Sequence, residues 1–254
     1  MRGTLLATVL AHFAGLASPL LVYAVEGARG SCGSLPPHPI RVLDPSRLDF
    51  NQLGFDVDAA PHCFDGIERD FQARLLNPAA VVKATSLGVI DRVHYLAYAG
   101  ERRSDPDLQG ASAVVAQALG SEPAWILFEV SIDHGFGAAG PAEFYASPAG
   151  PLLRLPVALA GTGGLREDFL FVLRHREWLE IDWAGWVKQL RPEEYGAPSG
   201  GAIWKGVWVD PSDFKARTSV WLPGDANCCP SGGELRVRLA LRGRRLQIER
   251  AEYP

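Results

Sequence analysis

The most reactive side chains in this 254-residue chain belong to its four cysteines and six histidines, and two of the cysteines are adjacent. Cys228 and Cys229 lie in Gly224-Asp225-Ala226-Asn227-Cys228-Cys229-Pro230-Ser231-Gly232-Gly233, whose Gly, Asn, Pro and Ser residues favour a structured turn. Adjacent thiols can close a ring on each other, bond to distant cysteines or hold a soft metal ion, and the sequence leaves all three open. Four cysteines admit three connectivities. The expected one joins Cys228 to Cys229 and Cys32 to Cys63, because Cys63 is near Cys32 in sequence and far from the tail. As structure, the adjacent pair clamps its turn; as function, it is a redox handle.

The other chemistry-bearing residues form no local constellation. His38, His62, His94, His134 and His175 show no His-x-x-x-His spacing and the cysteines no Cys-x-x-Cys, so neither a metal nor a cofactor is expected. Ser131-Ile132-Asp133-His134-Gly135 is the nearest approach to a nucleophile, acid and base, but neighbours along a strand point to opposite faces. Asp133, His134 and His175 are therefore catalytic candidates only for a site assembled in tertiary space. Gly161-Thr162-Gly163-Gly164 lacks the lysine and following helix of a phosphate loop and reads as a hairpin connection. Trp204, Trp208 and Trp221 are the binding candidates, since indole rings give a carbohydrate or peptide groove large contact area at small entropy cost. Core packing is the alternative for each.

The elements that must position these residues change character along the chain. Arg2 leads an uncharged, mostly apolar run from Thr4 to Val25, with Val22-Tyr23-Ala24 at a signal-peptidase-like position, so residues 1–24 read as an export signal. An uncleaved anchor over residues 4–25 is the alternative, and the sole expected route to a membrane. Residues 25–46, with Pro36-Pro37-His38-Pro39, read as a tether that a Cys32–Cys63 bridge would pin. Residues 47–122 read as mixed and helical: a helix capped by Asp65 and ended by Asn77-Pro78, a second opened by Pro78 and running to about Thr85, a strand over 93–99, and a third helix over 111–119. From 123 to 254 the chain reads as β, beginning with Trp125-Ile126-Leu127-Phe128-Glu129-Val130. Within it, residues 156–182 are echoed by 219–249: each has three apolar runs, the last two joined by Arg-x-Arg and closing on Leu-x-Ile-acid. A short helix over 183–190 separates the copies.

The tail from Trp221 through Asp225-Ala226-Asn227-Cys228-Cys229-Pro230-Ser231, with Ile203-Trp204-Lys205-Gly206-Val207 and Trp208-Val209-Asp210 upstream, resembles uncharacterised secreted bacterial proteins that share an Asp-x-x-Cys-Cys-Pro-Ser/Thr turn. The resemblance covers the last fifty to ninety residues and implies an envelope location and a β-rich tail, with no reaction attached. A formal charge of -4 leaves no basic surplus for a phosphate backbone, so nucleic acid is not an expected partner. The expectation is an α+β fold forming one compact unit, in which a helical N-terminal half packs on a mostly antiparallel, tryptophan-rich β half of two related meanders. The expected function is a periplasmic or secreted, non-enzymatic module for a protein, peptide or glycan. The alternatives are a periplasmic enzyme and a redox- or metal-responsive Cys-Cys protein.

Overall fold

The computed structural model describes residues 36–43, 55–58, 62–64, 81–101, 111–120, 124–132, 137–159 and 168–254. Its strands in chain order are β1 (Ile40–Arg41), β2 (Phe55–Asp58), β3 (His62–Phe64), β4 (Val81–Ile90), β5 (Val93–Glu101), β6 (Ala111–Ala118), β7 (Ala124–Ile132), β8 (Gly137–Ala139) and β9 (Glu143–Ser147). Then follow β10 (Gly150–Leu155), β11 (Val157–Leu159), β12 (Phe169–Arg174), β13 (Glu177–Glu180), β14 (Val207–Asp210), β15 (Lys215–Ser219), β16 (Glu234–Arg242) and β17 (Arg245–Glu252). The first sheet has the order β2-β7-β6-β5-β4, with β3 also on β7; the second has β1-β13-β12-β10-β9; the third has β14-β15-β16-β17; β8 and β11 make a separate pair.

The second sheet is the middle of three layers. Successive strand residues point to opposite faces, and β12 (Phe-Leu-Phe-Val-Leu-Arg) is buried through Leu173 because both its faces are covered. Phe169, Phe171 and Leu173, with Leu153 and Leu155, pack against Tyr95, Val114, Phe128 and Val130 of the first sheet. The alternate residues Leu152, Leu170 and Val172, with Trp183 and Trp186, pack against Ala216, Leu235, Val237 and Leu239 of the third. Each such side chain contributes roughly 2 kcal/mol by transfer from water. The third sheet has a solvent face, so β16 alternates charged and apolar residues over most of its length.

Residues 36–43, inside the stretch read as a tether, are docked. β1 runs parallel to β13, and the Leu43 amide donates to Glu180 Oε2 at 2.5 Å. His38 is 2% exposed and adopts a left-handed backbone (φ 52°). Its Nδ1 bonds the hydroxyl of buried Tyr95, to which Trp178 Nε1 donates at 3.2 Å. An indole N–H can only donate, so the Tyr95 oxygen accepts from Trp178 and its proton goes to His38 Nδ1. The imidazole then carries its own proton on Nε2, which lacks a hydrogen-bond partner among the described residues and lies 4.0 Å from Asp91 Oδ2. Burial pushes the His38 pKa down, partly opposed by Asp91 and reinforced by Arg176. Burial likewise pushes the Tyr95 phenol up.

The helical N-terminal half is a misreading. Among the described residues the chain is β-rich, with no helix of seven residues or more. The expected second helix overlaps β4 and the third is β6; the first lies outside the described residues. β6 is alanine-rich, yet Ser112, Ala113, Val114, Val115 and Ala116 are all buried at the centre of the first sheet, where small side chains suit a strand covered on both faces. Tertiary packing here overrides helix propensity. β4 pairs with β5 along its whole length through a bulge at Gly88, whose φ of 113° favours glycine. The boundary read at 123 falls between β6 and β7, which are paired.

The two related meanders are also not found. β15, β16 and β17 do form one, but in the first copy β11 leaves the sheet to pair with β8, and only the β12–β13 hairpin corresponds to β16–β17. The stretch 183–190 forms a 3-10 turn, Gly185–Gln189.

Candidate functional site

A cleft of about 110 Å³ opens between the middle sheet and the short edge strand β14, lined by Arg154, Asp168, Leu170, Trp183, Val207, Trp208, Val209 and Pro211. Arg154 interrupts the apolar run of β10 and shares a face with Leu152. Its cross-strand neighbour on β9 is Glu143. Arg154 Nε and Nη2 both donate to Asp168 Oδ2, at 2.8 and 2.5 Å, while Asp168 Oδ1 accepts from the Val157 amide at 3.0 Å. Nη1 donates to Glu143 and to the Tyr145 hydroxyl, which itself donates to Glu143. Among the described residues these contacts leave an N–H on Nη2 unused.

The Arg154 and Asp168 side chains are only 13% and 12% exposed, so the pair is a preset polar edge. Burial works against the Arg154 charge, but Asp168 and the bonds from the cluster outweigh it and hold the guanidinium's pKa above its ordinary value. The Tyr145 phenol is pushed up, first by burial and then by its bond to Glu143. Beside this edge the cleft is lined by two tryptophans, Trp183, which is buried, and Trp208, which is 37% exposed.

The Cys-Cys turn is a second, self-contained arrangement. Cys228 and Cys229 are bonded to each other, S–S 2.19 Å. Asp225 organises the turn: Oδ2 accepts from the amides of Leu222 and Ser231 at 2.7 and 2.8 Å, and Oδ1 from Ser231 Oγ at 2.5 Å. The Ser231 bonds, then that from Leu222, hold the Asp225 carboxyl below its ordinary pKa. Lys205 is buried, donates Nζ to Asn227 Oδ1 at 2.5 Å, and lies 4.7 and 5.2 Å from the ring centroids of Trp204 and Trp221. The two indoles meet edge to face at 5.3 Å. Cation–π attraction and an amide oxygen thus tie the turn to the segment ahead of β14. Gly233 closes the far side with φ 80°, where an added Cβ would come within 2.8 Å of the Tyr253 hydroxyl oxygen.

The sequence-predicted residues are dispersed. Of the binding candidates, Trp208 lines the cleft, Trp221 is buried, and Trp204, 61% exposed, packs on Trp221. His175 is exposed at the tip of the β12–β13 turn with φ 48°. Asp133 and His134 lie outside the described residues, as does Cys32; Cys63, on β3, is disulfide-bonded. Among the described residues no group of three or more His, Cys, Asp or Glu stands close enough to hold a metal ion, and no helix is long and apolar enough to cross a membrane. Sequence reasoning missed Arg154, Asp168, Glu143 and Tyr145; the signal was an arginine set between Leu152-Leu153 and Leu155. Compared with protein families, curated proteins and solved structures, the chain matches none.

Proposed function

We propose that the protein is an exported binding module that seats one ring of a glycan in the cleft beside β14. The observation that carries this reading is Trp208, an exposed tryptophan lining one cleft with the fixed Arg154–Asp168 pair. A sugar ring has an apolar C–H face for the indole and a hydroxyl edge for charged hydrogen-bonding groups held in place. The cleft is well below the about 300 Å³ of a pocket that encloses a whole small ligand, which favours one ring of a longer chain. Export is supported by the Arg2-led apolar run and by the cysteines, since none of those described is free. The resemblance of the tail to secreted bacterial proteins points the same way.

Affinity electrophoresis of the full chain through gels cast with a panel of polysaccharides tests it. The expected result is retardation by at least one polymer, weakened at least ten-fold by Trp208→Ala. The double variant Arg154→Met, Asp168→Asn removes the charged pair together and keeps an oxygen for the Val157 amide. The two buried charges go together, and the remaining partner Glu143 is 42% exposed and keeps the Tyr145 hydroxyl, so this variant is expected to stay folded and still lose binding. No retardation on any polymer, with binding to extended peptides instead, would replace the glycan by a peptide.

A further inference from the structure

The outer face of the third sheet opposes cations to cations. Lys215, Arg238 and Arg250 stand opposite one another on β15, β16 and β17, and Arg217 stands opposite Arg236 beside them. All five are exposed. Like charges placed directly opposite destabilise a strand pair. Carboxylates answer them from the same strand or its turn, Asp213 for Lys215, Glu234 for Arg236 and Glu252 for Arg250, and from across strands, where Asp210 stands opposite Lys215, Glu252 opposite Arg236, and Glu249 lies 3.9 Å from Arg238. Exposed pairs of this kind hold little. Among the described residues Arg217 has no carboxylate partner; its guanidinium lies 5.9 Å from the ring centroid of its cross-strand neighbour Trp208. Because Trp208 also lines the cleft, an unneutralised cation stands where the cleft ends, on a chain whose net charge is -4.

We propose that the ligand of the cleft is an acidic polysaccharide, with one ring at Trp208 and the carboxylates of following rings on Arg217 and the Lys215–Arg238 row. This rests on the glycan reading and names its chemical class. The cations repeat about 4.8 Å apart across strands and about 6.8 Å apart along them, a lattice suited to a polymer with a carboxylate on every ring rather than to a single anion.

The test measures binding of the full chain to polygalacturonate and to alginate, each beside its methyl ester. The expected result is at least ten-fold tighter binding of the acid forms at low salt, an advantage that shrinks as salt screens it. Arg217→Gln, Arg238→Gln is expected to weaken acid-form binding at least five-fold and to leave the esters within two-fold. Equal binding of acid and ester, no binding of either, or an unaffected double variant overturns the proposal. Tighter binding of polyglutamate or of phosphatidylglycerol vesicles than of both polyuronates also overturns it, in favour of an acidic peptide or a membrane surface. A Trp208→Ala loss on the esters keeps the glycan reading even where the acidic one falls; if that loss is absent too, both fall.

Discussion

Tyr95→Phe removes one oxygen and, in this fold, strands two other groups. The Tyr95 hydroxyl accepts from Trp178 Nε1 and supplies the proton bound by His38 Nδ1, and all three side chains are buried. Phenylalanine fills the same space but leaves an indole N–H and an imidazole nitrogen without partners. Each buried unsatisfied group costs about 1–3 kcal/mol, so the variant is expected to lose about 2–4 kcal/mol, or roughly 2–4 °C of melting temperature per kcal/mol for a chain of this size. The same geometry sets a pH dependence. The folded chain holds His38 neutral with its pKa lowered, so in the acid range the unfolded chain binds the extra proton. Stability from this group is complete above the unfolded value near about 6.5 and falls as pH drops below it, by up to about 1.4 kcal/mol per pH unit until the folded pKa is reached. Urea unfolding at pH 8, 7, 6 and 5 measures both effects. His38→Asn, which tolerates the left-handed backbone, subtracts the other histidines and is expected to flatten the slope between pH 6.5 and 5. A Tyr95→Phe loss under 0.5 kcal/mol, or an identical slope in His38→Asn, would refute the hydrogen-bond assignment.

Two further outcomes follow from the tail and the tether. Asp225→Ala is expected to speed amide exchange at Leu222 and Ser231 at pH 7 without altering the β12–β13 hairpin; in the wild type the contribution of this low-pKa carboxylate is present above about pH 3.9 and lost as pH falls below it, which amide chemical shifts followed on acidification would show, and unchanged exchange in the variant would contradict it. Cys63→Ser, which opens a loop of about 30 residues if the partner is Cys32, is expected to cost about 3 kcal/mol, whereas replacing Cys228 and Cys229 by serine, which opens only the smallest ring, costs much less; thermal unfolding of the two variants side by side checks the order, and the reverse order would make the tail turn the main staple.

Where the sequence carried its own periodicity, it could be read. β5, β7, β12, β16 and β17 contain the β-branched, aromatic and alternating runs that strands use, and each was expected close to where it stands. β6 was not legible because its composition, with Ala111-Ser112-Ala113 and Ala116-Gln117-Ala118, is also good for a helix, and only neighbours far away in sequence select the strand; β4 carries strand formers, Val81, Val82, Thr85, Val89 and Ile90, which the helix-start signal of Pro78 masked. The apparent repeat failed for a related reason. A tight turn between two amphipathic strands fixes a hairpin but not which strand joins it next, and β11 turns to β8. The cleft was hidden by distance: Arg154 was visible as a charge in an apolar run, while Asp168 lies 14 residues on, past Gly-rich chain, and only the β10–β12 register brings them together.

That register also explains why a cleft forms there at all. Arg154 lies on the face of β10 that, at Leu152, belongs to the core shared with the third sheet, so the middle layer turns from apolar to charged along a single strand. The third sheet meets this margin with β14, its shortest strand, at four residues. An apolar residue at 154 would let the layers close, and a buried ion pair replaced by hydrophobic side chains is often no less stable. The chain instead carries a guanidinium there, holds it on Asp168 and Glu143, and leaves Trp208 half exposed beside it. Folding alone does not require that arrangement; a ligand with an apolar face and a polar edge would use it, whereas the bonds of the Cys-Cys turn are all spent within the turn and its neighbours.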